Sequence, residues 1–84
     1  MISIIKLVLL AKTHPRKWLG EVIADSLVEG ESIIGPIIEA TGETTYNVTI
    51  ELSSIIHPQK WLAPCIEDNL EFDEEITSIE YSLQ

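Results

Sequence analysis

Two short segments gather the residues that could do chemistry: His14-Pro15-Arg16-Lys17-Trp18-Leu19 and His57-Pro58-Gln59-Lys60-Trp61-Leu62. Histidine offers an acid/base group or a metal ligand, and lysine and arginine offer a seat for an anion. The proline suits the first position of a helix, whose free N–H groups attract negative charge. Four of the five basic residues, Lys12, Arg16, Lys17 and Lys60, stand beside one or other segment. His14, Arg16, Lys17, His57 and Lys60 are therefore the candidate ligands for a small anion such as a nucleotide or phosphorylated metabolite. Arg16 faces a neutral counterpart, Gln59, so a function confined to one segment is expected at the first.

Other chemistries lack their parts. Zinc needs three or four converging ligands, and the single cysteine, Cys65, aligns with an apolar position, Val22, on the inward stripe of a helix. A buried thiol without a cationic neighbour is inert as a nucleophile. Histidine at a helix start is explained by capping. No Gly-rich phosphate loop, serine elbow or metal-spaced histidine cluster is present. No catalytic residue, metal site or cofactor is expected, and the chain is not expected to be an enzyme.

The two segments belong to a longer repeat. Residues 14–33 laid over 57–76 share ten identities in twenty: His, Pro, Lys, Trp and Leu, then Ile23/Ile66, Asp25/Asp68, Leu27/Leu70, Glu31/Glu74 and Ile33/Ile76. Unrelated segments would share about one or two. The chain reads as two copies of one supersecondary unit within a single domain, with halves 1–41 and 44–84.

Composition narrows the partners. A net charge of −9 argues against direct nucleic-acid binding and suits docking on a basic protein surface. One cysteine excludes an internal disulfide and fits a reducing cytoplasm. The apolar run 2–11 holds Lys6 and is shorter than the roughly 20 residues that span a bilayer, so it reads as a buried strand with no membrane role. Asn47-Val48-Thr49 matches a glycosylation sequon, which a cytoplasmic chain would not use.

The elements are set by patterning. Strands are expected over 2–11, 31–40, 45–53 and 74–83, the second at a sheet edge because Pro36 cannot donate to a ladder. A helix from Pro15 buries Trp18, Leu19, Val22, Ile23, Ser26 and Leu27 and stops at Glu29-Gly30. A second buries Trp61, Leu62, Cys65, Ile66 and Leu70, distorted by Pro64. Right-handed crossovers then select an α+β fold, the ferredoxin-like βαββαβ sandwich. Its antiparallel sheet has order 4-1-3-2, with both helices on one face. That topology puts the two helix starts at opposite ends of the domain, so the histidine segments form two separate corners. Arg16 and Lys17 should meet the acidic end of the second helix, and Lys60 that of the first. Ile56 should staple onto Trp61.

Two surfaces remain for a partner. The open face of the sheet would carry Ile4, Val8 and Leu10 around Lys6, where polar residues are expected. From Trp61 onward there are seven acidic residues and no basic one. Glu67, Asp68, Glu71, Asp73, Glu74 and Glu75 form a ridge suited to a cationic surface. The expected function is that of a small acidic interaction or regulatory protein that self-associates or binds a protein partner, such as an inhibitor docking on a basic surface. The alternative is an anion binder at the helix starts.

Overall fold

The computed structural model describes residues 2–83. Four nine-residue strands, β1 (Ile2–Leu10), β2 (Ser32–Ala40), β3 (Thr45–Ser53) and β4 (Glu75–Leu83), form one antiparallel sheet in the order β2-β3-β1-β4. Two short helices, α1 (Leu19–Asp25) and α2 (Leu62–Glu67), connect β1 to β2 and β3 to β4. The strand order is the one expected, and it leaves β2 and β4 at the edges. Pro36 sits on edge strand β2, where the register shifts between Ile34 and Ile37.

Period-two alternation decides the faces. Ile5, Leu7 and Leu9 of β1 and Val48, Ile50 and Leu52 of β3 all point under the helices and are essentially inaccessible. Leu19 and Ile23 of α1 close the core from above with Leu62 and Ile66 of α2. Each such side chain contributes roughly 1.5–3 kcal/mol by leaving water, and together they hold the domain. One polar group is caught among them: Ser3 is fully buried, and its hydroxyl has no hydrogen-bond partner among the described residues.

Both helices are shorter than expected, for a common reason. Pro15–Lys17 and Pro58–Lys60 form 3-10 turns, and Trp18 and Trp61 then break the helical path at φ −138° before the α-helices begin. Restarting at Leu62 moves Pro64 into the first turn of α2, where no N–H is needed; the ladder opens with Cys65 N–H donating to Trp61 O at 3.1 Å. The distorted start expected of this helix is present, but its seat is Trp61 and not Pro64, since the first copy has the same break at Trp18 with Glu21 in place of the proline. Gly30 does not end the first helix, which is complete at Asp25; its φ of +92° belongs to a tight turn, Val28–Glu31. Glycine at position 20 makes room for the β2 edge, because a Cβ there would stand 3.3 Å from Pro36 Cδ.

Candidate interaction surfaces

Because β1 and β3 run antiparallel, the connections leaving them lie at opposite ends of a body 35 Å long. One end holds the starts of β1 and β2 and the ends of β3 and β4, with the segment 54–61 and the turn 28–31. The other holds residues 11–18, 41–44 and the turn 71–74. The histidine segments therefore stay apart, one at each end.

The anion-site residues have internal roles or none. His14 Nδ1 accepts from Arg16 N–H at 3.2 Å, and His57 Nδ1 accepts from Gln59 N–H at 3.1 Å. Each imidazole thus caps its own 3-10 turn and consumes the donor an anion would use. The rings also rest on tyrosines, His14 edge-on to Tyr46 at 4.9 Å and His57 tilted on Tyr81 at 5.8 Å. Burial, then the Glu67 charge, pushes the Tyr81 phenol above its ordinary value. Arg16, Lys17 and Lys60 are exposed, and the expected pairs with the helix ends do not form. The one ion pair among the described residues joins Lys12 Nζ to Asp73 Oδ2 at 2.9 Å. Its hydrogen bond and charge raise the Lys12 pKa and lower that of Asp73.

Cys65 is not in the core. Its alignment with Val22 puts it at the seam between the helices, half-buried, with Sγ 3.1 Å from Ser26 Oγ and donating to Val22 O at 3.6 Å. Ser26, also expected inward, is exposed. Among the described residues no three His, Cys, Asp or Glu side chains gather as a metal site, and no helix is long and apolar enough to cross a membrane.

The acidic ridge is divided. Glu67, Asp68, Glu71 and Glu75 are exposed, but Asp73 is spent on Lys12 and Glu74 is a structural clamp. Its carboxylate accepts from Glu71 N–H at 2.8 Å and Lys12 N–H at 2.7 Å. At the matching place in the first half, Glu31 does the same with Val28 N–H at 2.8 Å and Ile55 N–H at 2.7 Å. This pair of bonds explains the Glu31/Glu74 identity. Those two bonds also hold the Glu31 carboxyl below the ordinary glutamate range.

The apolar surface of the sheet is displaced from its expected centre. Ile4, Val8 and Leu10 are only half-buried, yet the larger apolar exposure lies on edge strand β2, at Ile34 (63%) and Ile37 (68%). The sequence alternation predicts this only once the break at Gly35-Pro36 is known, because the break carries both isoleucines to the same face. The middle of the face is a depression of about 530 Å³ where Val8 and Ile79 stand among Lys6, Glu39, Asn47 and Glu80.

Exposed large apolar side chains are distributed unevenly. Of eight among the described residues, Ile2, Val28, Ile34, Ile55, Ile56 and Leu83 lie at one end, Ile37 lies mid-sheet, and Phe72 stands alone at the other. The register fixes this, since Ile2 pairs with Ser53, Ser53 with Ser32, and Ser3 with Leu83. At the apolar end Val28, Ile55, Ile56 and Trp61 line a groove of about 550 Å³ with Lys60 on its rim. Trp61 Nε1 donates to Ile56 O at 3.4 Å, a tie through the backbone between the two residues expected to staple, and both line this groove. The matching corner at the acidic end encloses about 270 Å³ between Lys12, Trp18, Glu71 and Glu74.

No known protein family, curated protein or solved structure matches this chain.

Proposed function

We propose that this chain is a non-enzymatic interaction protein, a ferredoxin-like sandwich whose apolar end and adjoining β2 edge bind a second copy of itself or another protein. The observation that carries this reading is the gathering of six exposed aliphatic side chains at one end of a protein with net charge −9. Isolated surface aliphatics are ordinary, whereas six at one end, with Val28, Ile55 and Ile56 in a single groove, suit a contact surface. A second copy is the first occupant to consider, because it carries a matching apolar end. Joined apolar end to apolar end, two copies would hold their acidic turns some two body lengths apart, each 35 Å long, well beyond the screening length of about 8 Å. The single free thiol fits a reducing, cytoplasmic setting.

The anion-binding alternative draws no support from the corners, where the histidine caps already use the free donors. Light scattering over a concentration series tests the proposal. The native chain should pass from monomer to dimer below about a millimolar, the range in which small interfaces near 1,000 Å² associate. Ile34→Glu with Ile55→Glu should hold it monomeric. A native chain that stays monomeric throughout, or a dimer indifferent to both substitutions, rules it out.

A further inference from the structure

Phe72 is fully exposed, its ring touching solvent on all sides at the end of the molecule opposite the apolar cluster. An apolar ring of this size gains nothing for the fold by standing there, and its sequence equivalent, Glu29, is charged. The segment that carries it is held firmly. Glu74 N–H donates to Glu71 O at 3.0 Å, closing a tight turn with Phe72 as its first central residue. The Glu74 carboxylate ties that turn back to Glu71 N–H at 2.8 Å and across to Lys12 N–H at 2.7 Å. Asp73, next to the phenylalanine, is pinned to Lys12 Nζ at 2.9 Å. Ordering costs for this tip are therefore met within the monomer, which is what a protruding anchor requires.

We infer that Phe72 is an aromatic anchor that inserts into an apolar pocket rimmed by lysine or arginine on a different protein. Aromatic side chains dominate binding energy when they fill such pockets, and a surrounding polar rim keeps water out. Here the unpaired carboxylates on this side are Glu71 and Glu75, Asp73 being paired with Lys12, so the tip stays net negative, the complementary rim is cationic, and the same charge repels nucleic-acid phosphates. A second copy fits poorly as the occupant, because the groove at the apolar end offers one cation, Lys60, beside the carboxylates of Glu31 and Asp25 in a chain of net charge −9. The inference shares with the proposed function the premise of a protein partner, but it uses the other end of the molecule and stands or falls separately.

Replacing Phe72 with photoreactive p-benzoylphenylalanine in the cells that naturally make the protein tests it. Irradiation should yield one dominant protein adduct, mapped by mass spectrometry to apolar residues flanked by lysine or arginine; the same photoreactive residue at Glu29 should not give it. With that protein purified, Phe72→Ala should weaken binding by about tenfold or more while leaving the thermal midpoint unchanged, since the ring is fully in solvent. Glu71→Gln with Glu75→Gln should slow association and flatten its salt dependence. The inference is overturned by no specific adduct, by an adduct to a nucleic acid or to a second copy of this chain, by a mapped site lacking basic residues, or by undiminished affinity of Phe72→Ala. Loss of self-association in Ile34→Glu with Ile55→Glu, with the Phe72 adduct intact, separates this inference from the one about the apolar end.

Discussion

Lys12 and Ile55 do the same backbone work at opposite ends of the domain and meet solvent with opposite chemistry. Each donates its N–H to a clamping glutamate, Glu74 or Glu31, at 2.7 Å. Around them the scaffold repeats: a histidine cap, a buried proline, a half-buried tryptophan and a fully buried leucine. Outside that scaffold the two ends diverge. The apolar end has Val28, Glu29, Gly30, Ile55 and Ile56 where the acidic end has Glu71, Phe72, Asp73, Lys12 and Thr13. The divergence reaches the backbone, since Gly30 turns at φ +92° and Asp73 takes the same place without a positive φ. One architecture is thus kept twice for folding and varied twice on its surface, which is the pattern expected when the ends meet different neighbours.

The shared scaffold can be broken at its foundation. Leu19 and Leu62 are both fully buried at matching places, so Leu19→Ala and Leu62→Ala should each cost about 2–5 kcal/mol in urea denaturation, and nearly the same amount. Sharply unequal losses would mean that the scaffold is shared in sequence only. A smaller effect is expected at the caps: His14→Ala and His57→Ala should each lose about 1 kcal/mol, with no change in any surface interaction. If either substitution abolished ligand or partner binding while the fold survived, the histidines would be more than caps.

The smallest effect is expected at the glutamate clamp of the apolar end. The Glu31 pKa is lowered in the folded state, first by its bond from Val28 and then by that from Ile55. The folded protein therefore binds fewer protons at this site than the unfolded chain. Its contribution to stability is fully present above the ordinary value near 4.5 and is lost as pH falls through the lower folded value. Glu31→Gln should be less stable than the native chain at neutral pH, and the gap should narrow on acidification below that value. A gap that stays constant with pH would show that the carboxylate is not held as a charged clamp.

Much of the scaffold is legible in the residues. Strands β3 and β4 are given by their alternation, β1 by its aliphatic run, the edge position of β2 by Pro36, and the separation of the histidine segments by the antiparallel pairing of β1 and β3. The remainder depends on events that alternation does not encode. The break at Gly35-Pro36 turns Ile34 and Ile37 outward together, so unbroken alternation points to Ile4, Val8 and Leu10 instead of the exposed edge. The shared tryptophan reads as part of a continuous helix, although it ends a 3-10 turn and resets the frame that places Cys65, Ser26 and Pro64. The Glu31/Glu74 identity is visible in the repeat, but composition groups Glu74 with the acidic ridge; its distance from any hydrophobic stripe is the sign that it serves the backbone. Phe72 escapes notice because a lone aromatic between acidic residues carries no period at all.

A contact surface at the apolar end, with the acidic end left free for another, is tested most directly by isoleucine methyl NMR spectra of the native chain followed through dilution. The methyls of Ile2, Ile34, Ile55 and Ile56 should shift with concentration, while those of Ile5 and Ile23 in the core and Ile76 near the acidic turn stay in place. Spectra independent of concentration up to about a millimolar, where weak interfaces still associate, or shifts centred on Ile76, would contradict it.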